Sequence, residues 1–192
     1  MSSVSASAVL VDRWVNRSLA KSILLVVGLT GATAASAQVA IPLPFTPVPL
    51  TLQTFAVLVG AASLGATRSV LAQTLYFVLA AAGTPVLAGG AGGIDKALGA
   101  TGGYLLGFIF ASLVVGSIAS RGATTQIKST VFAYVAGSAV IYLFGFIWLA
   151  QFTGNGFAWA LTHGVTPFIL GDVIKAVAAG LLLPSAWKLV SK

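Results

Sequence analysis

Long apolar runs fill the 192-residue chain from Leu19 almost to its end, separated by short stretches rich in proline, glycine or isolated basic residues. A helix that crosses a bilayer needs about 20 mostly apolar residues. Six runs approach that length: Leu19–Ala40, Leu50–Leu64, Ser69–Ala82, Gly103–Ile118, Thr130–Ala150 and Thr166–Pro184. The second and third are short and span only when tilted or counted with their flanks. Hydrophobic residues make up 58% of the chain and charged residues 7%, against about 25% charged in a soluble domain. Such a chain cannot cover a globule with polar surface. The expectation is an all-α integral membrane protein: a six-helix bundle forming one domain over 19–192, after a cytoplasmic tail over 1–18.

The breaks between runs have physical causes. Pro42, Pro44, Pro47 and Pro49 forbid continuous helix after the first run. Gly65 to Arg68 separate the second and third. A glycine-rich loop, Gly83–Gly103, precedes the fourth, and "QFTGNGFAWALTHG" follows the fifth, with room for a short interfacial helix carrying Phe157 and Trp159. Thr166-Pro167 reads as the N-cap and first residue of the last helix.

Charge placement orients the bundle. Arg13, Arg17, Lys21, Arg68, Arg121, Lys128, Lys188 and Lys192 all fall on one side of the membrane if six helices are counted. The other side keeps Asp95, Lys96 and His163. By the positive-inside rule both termini are cytoplasmic, and the protein is a multi-pass protein of the cell membrane. The formal charge of +7 therefore reflects topology, and nucleic acid is not an expected partner. The chain has no cysteine, which excludes disulfides and thiolate chemistry, and a lone histidine leaves little for a metal site.

Ala35-Ser36-Ala37 ends the first run in the A-x-A pattern of a cleaved signal peptide. Cleavage would remove the first helix and upset the charge sorting, so Gly31–Ala40 is expected to stay. Its small residues need another reason. Gly28, Ala32 and Ser36 recur every four positions, a face that lets helix backbones approach closely. It serves either packing inside the bundle or docking of a separate membrane subunit.

Charges inside spans cost about 2.5–3.5 kcal/mol each at the bilayer centre on insertion scales. Asp172 and Lys175 are the two that qualify. Three residues apart, they share one face of the last helix, in its outer half. They form either a self-satisfying ion pair or a polar pocket with one acceptor and one cation. The glycine loop, with Gly92, Gly93, Asp95 and Thr101, is either a passive connection or a lid whose amides bond a ligand. "GGAGG" lacks the Gly-Lys-Ser/Thr ending of a Walker loop. Gln53 and Tyr104 are candidates for the same cavity. No base–nucleophile set for hydrolysis is visible, and one charged pair is a site rather than the path a channel needs.

"PVPLTLQTFAVLVGAASLG" (Pro47–Gly65), "GTPVLAGGAGG" (Gly83–Gly93), "TGGYLLGFIFA" (Thr101–Ala111) and "GDVIKA" (Gly171–Ala176) resemble signatures of the BioY family, the biotin-specific S components of energy-coupling-factor transporters. Ala100 stands where that family usually has proline. The resemblance implies a six-helix S-component fold and biotin capture at the outer face. It implies no enzyme activity and no cofactor, with biotin as the transported substrate. It also implies partners, a transmembrane T component and cytoplasmic ATPases that use ATP. The residues fit that ligand. A buried carboxylate can accept ureido N–H bonds, and an ammonium can balance the carboxylate tail. An S component for another vitamin, a membrane enzyme and a channel are the competing readings.

Overall fold

The computed structural model describes residues 9–13 and 18–190. The first long helix, α1, is Leu19–Gln38. Ala40–Ile41 (β1) and Leu50–Thr51 (β2) then pair antiparallel, Ala40 opposite Thr51. Ala40 and Leu50 are thus extended, where the apolar pattern predicts helix. The prolines between them explain this. A residue before proline is pushed out of the helical region, and the chain doubles back instead.

Two shorter helices follow, α2 (Gln53–Leu64) and α3 (Ala66–Ala81). Gly65 turns the chain between them at φ 81°, a value suited to glycine. The single turn α4 (Ile94–Ala97) interrupts the glycine loop. Then come α5 (Gly102–Ala119), α6 (Ile127–Thr153), the short α7 (Gly156–Gly164) and α8 (Ile169–Val190). A short helix carrying Phe157 and Trp159, as expected, is α7.

Among the described residues, four segments are long and apolar enough to cross a membrane: α1, α5, α6 and 156–189, which ends in α8. At 1.5 Å per residue, α2 and α3 rise only about 18 and 24 Å. α8 begins at Ile169, after a 3-10 turn at Thr166–Phe168, and runs past Pro184 to Val190. The sequence pattern predicts an end near Pro184. Packing on both sides of the proline carries the helix through. Leu183 and Trp187 are buried, and Trp187 Nε1 donates to Thr124 Oγ1 at 3.1 Å.

α5 is the core helix and packs against α2, α3 and α6. Its small residues permit the close approach. A Cβ added at Gly107 would stand 2.9 Å from Ile141 Cα of α6. α1 lies at the edge and is held to α3 by polar contacts. Thr30 Oγ1 donates to Ala72 O at 2.9 Å, and Gln73 Nε2 to Thr33 Oγ1 at 3.1 Å.

The two ends of the bundle differ. At one, Arg68 and Asp12 form an ion pair at 2.7 Å, and the 3-10 turn at 10–13 packs on α2 and α8. Val9 of the expected tail is buried there. Arg17 and Lys192, two of the sorted cations, lie outside the described residues. At the other end, the loops around Pro47 and Ala88 and the start of α8 surround a cavity.

Candidate binding site

The cavity has a volume of about 310 Å3, at the small end of the roughly 300–1,000 Å3 typical of ligand pockets. Tyr104, Leu105 and Phe108 of α5 form one wall, Ile141 and Tyr142 of α6 another, and Phe168 closes the side next to α8. The segment 47–51 and loop residues Leu87, Ala88 and Ala91 complete the enclosure. Polar groups are few: Thr51, Gln53, Thr54, Lys96, Thr101 and Lys175.

Lys175 is the interior cation. Its Nζ donates to Thr51 O at 2.8 Å, Thr54 Oγ1 at 2.7 Å and Asp172 Oδ1 at 3.0 Å. Those bonds engage all three ammonium hydrogens. Thr54 Oγ1 donates onward to Asp172 Oδ1 at 3.2 Å, and Tyr142 OH donates to Oδ2 at 2.7 Å. The side chains of Lys175 and Asp172 are 12% and 9% exposed, so stripping either partner strands a charge in a poorly hydrated place. Asp172 sits in the first turn of α8, where a carboxylate is favoured by the helix dipole. It does not line the cavity. Its outer side faces an apolar groove between α6 and α8 that also contains Tyr134 and Tyr142.

The other expected site residues divide. Gln53 lines the cavity, with Nε2 donating to Tyr76 OH at 2.8 Å and Oε1 accepting from Thr51 Oγ1 at 3.2 Å. Tyr76 OH donates to Val86 O at 2.9 Å, which ties α2 through α3 to the glycine loop. Tyr104 lines the cavity with its ring while its hydroxyl donates to Gly164 O at 2.7 Å. A Cβ at Gly164 would run into that hydroxyl. Thr101 also reaches the cavity.

Gly92, Gly93 and Asp95 are not among the cavity's lining residues. The Gly93 N–H is spent on Ala80 O at 2.7 Å, Gly92 lies against the Thr84 carbonyl, and Asp95 is exposed. On α1, Gly28 and Ala32 are exposed and a Cβ at Gly28 would meet nothing within 4 Å. Ser36 instead is buried, its hydroxyl donating to Thr33 O.

Lys96, Thr51, Thr54 and Tyr142 belong to the site without having been singled out in the sequence. Thr51 and Thr54 flank Gln53, and that clustering of polar residues at a helix start was the available signal. Tyr142 lies within an apolar run and gave none. Among the described residues no three His, Cys, Asp or Glu side chains gather as a metal site. His163 instead stacks on Trp159, with ring centroids 4.2 Å apart.

Residues 6–192 match the model of the BioY family. A probable biotin transporter BioY of Pyrococcus horikoshii is 39% identical over 163 residues, covering 85% of this chain and 94% of that protein. The biotin transporter BioY of Rhizobium etli is 40% identical over 149 residues, 74% of this chain and 79% of its own. The crystal structure of the S-component for biotin from an ECF-type ABC transporter superposes with a TM-score of 0.80 at 26% identity, covering 91% of this chain and 94% of that one.

Proposed function

We propose, since this chain belongs to the BioY family, that it is the biotin-binding subunit of a vitamin uptake transporter in the cell membrane. BioY proteins are transporters rather than enzymes, and the apolar helices fit a membrane protein. The observation that carries the substrate reading is the position of Lys175: an ammonium facing a cavity whose remaining walls are largely aromatic and aliphatic.

Lys175 and Asp172 together are a neutral pair, so the inner end of the cavity suits a neutral polar group. The ureido carbonyl of biotin takes the Lys175 hydrogen now given to Thr51 O. Side-chain oxygens of Thr51, Gln53 and Thr54 accept the ureido N–H bonds. Asp172 acts from behind, holding the ammonium charged and aimed. Tyr104, Phe108 and Phe168 pack on the thioether ring and chain. The carboxylate tail ends at the rim, where exposed Lys96 supplies a second cation.

Six helices, α1, α2, α3, α5, α6 and α8, cross the membrane in this reading, the two shorter ones with help from their flanks. Both termini are cytoplasmic, because Arg68, Arg121, Lys128 and Lys188 then lie inside. The cavity opens outside. A T component docks on the exposed Gly28–Ala32 face of α1, and ATPases supply energy. Uptake of labelled biotin by cells expressing the chain with a T component and ATPases tests this function. Biotin accumulation is expected, and accumulation of a different vitamin in its place would overturn the substrate assignment.

A further inference from the structure

One side chain pins the glycine loop to α1. Gln38 is the last residue of that helix. Its Oε1 accepts the Gly90 N–H at 3.1 Å, and its Nε2 donates to the Leu87 carbonyl at 3.1 Å. The second Nε2 hydrogen goes to the Ala34 carbonyl, one turn back, at 3.1 Å. One amide thereby bonds both ends of the turn Leu87–Gly90 and its own helix.

The turn is shaped for this contact. Gly89 and Gly90 both have left-handed φ, 69° and 70°. That conformation closes the turn with a Gly90 N–H bond to Leu87 O at 3.1 Å and presents the same two groups to Gln38. Leu87 and Ala88 of this turn, and Ala91 just after it, line the cavity. α1, bonded to α3 through Thr30 and Thr33, is a fixed post for the latch.

We propose that Gln38 is a positioning residue for substrate retention: it latches the loop closed over the cavity without touching the substrate. This rests on the reading that the cavity holds biotin. Gln38 is exposed, so its contribution comes through its hydrogen bonds rather than through packing. The two loop partners are a carbonyl and an N–H, and only a side chain that both donates and accepts serves them. Glutamate cannot donate to Leu87, and methionine donates nothing and accepts only weakly.

Gln38→Met tests the latch because it keeps length and removes both bonds. Dissociation of biotin from the detergent-solubilised protein should be about three- to tenfold faster, as expected for two hydrogen bonds partly open to water. The association rate should stay within about twofold of the parent, and the ligand-free melting temperature should not change. Exchange of the Gly90 amide, read by NMR with labelled glycine on ligand-free protein, should accelerate. An unchanged dissociation rate overturns the proposal, as does an accelerated one with unchanged Gly90 exchange. If the parent protein binds no biotin, the cavity reading fails separately, and Gly90 exchange alone decides the latch: faster exchange upholds it and equal exchange overturns it.

Discussion

Lys175 Nζ and Asp172 Oδ1 stand 3.0 Å apart on one face of α8, yet the lysine lines the cavity and the aspartate lies behind it. In the proposed reading the lysine meets the ligand and the aspartate holds the lysine. Loss of the lysine removes a donor from the cavity. Loss of the carboxylate charge leaves the donor present but poorly held, its ammonium short of a counter-ion.

Asp172→Asn should therefore weaken biotin binding and also lower the ligand-free melting temperature. A buried partner left without its counter-charge is costly, and the Tyr142 and Thr54 hydrogen bonds would face a neutral acceptor. The affinity loss should be about tenfold or more. Calorimetric titration and thermal unfolding of the same preparation check both parts. Loss of affinity at full stability would contradict the role of a holder.

Lys96 is exposed and sits at the rim, so its contribution should be small and specific to the tail. Lys96→Ala should weaken biotin about two- to fivefold and leave the affinity for biotin methyl ester unchanged. Competition binding with the two compounds makes the comparison. Equal losses for both would mean that Lys96 does not meet the carboxylate.

The exposed small face of α1 gives a third expectation. Gly28→Leu with Ala32→Leu adds bulk where a Cβ at Gly28 meets nothing within 4 Å. The isolated subunit should bind biotin normally, while co-purification with a T component and ATP-driven uptake fail. If biotin binding and thermal stability fell together, the face would belong to internal packing.

Tyr104→Phe removes the hydroxyl that donates to Gly164 O at 2.7 Å. It leaves the ring on the cavity wall. Stability should fall by about 1–3 kcal/mol, the cost of a buried acceptor left unpaired, with a smaller change in biotin affinity. Denaturation of the ligand-free protein measures the first, and titration the second.

The apolar runs made the helical layout legible, because bilayer thickness sets their length and charges mark their ends. The sequence did not reveal where Ala40 and Leu50 leave the helix, or that α8 continues through Pro184. Those outcomes depend on contacts between distant segments, such as β1 with β2 and Trp187 with Thr124. The site was partly legible for the same kind of reason. A charge in a span must have a partner, so Asp172 and Lys175 stood out. Which of them faces the cavity depends on how α8 is rotated against α2 and α6, and spacing along one helix cannot fix that. Gly92 and Gly93 are conspicuous as glycines, but Gly93 turns the loop at positive φ and Gly92 lies against the Thr84 carbonyl, while Ala88 and Ala91 of the same loop line the cavity. Tyr142 became visible only once α6 lay beside α8.

In the proposed reading Lys175 binds biotin from inside this cavity. Calorimetric titration of purified parent and Lys175→Ala proteins with biotin decides whether it does. One biotin should bind per parent chain, and the affinity should be about ten- to a hundredfold weaker in the variant, the loss of one charge-assisted contact. Equal affinity in the two proteins, or no biotin binding by the parent, would contradict it.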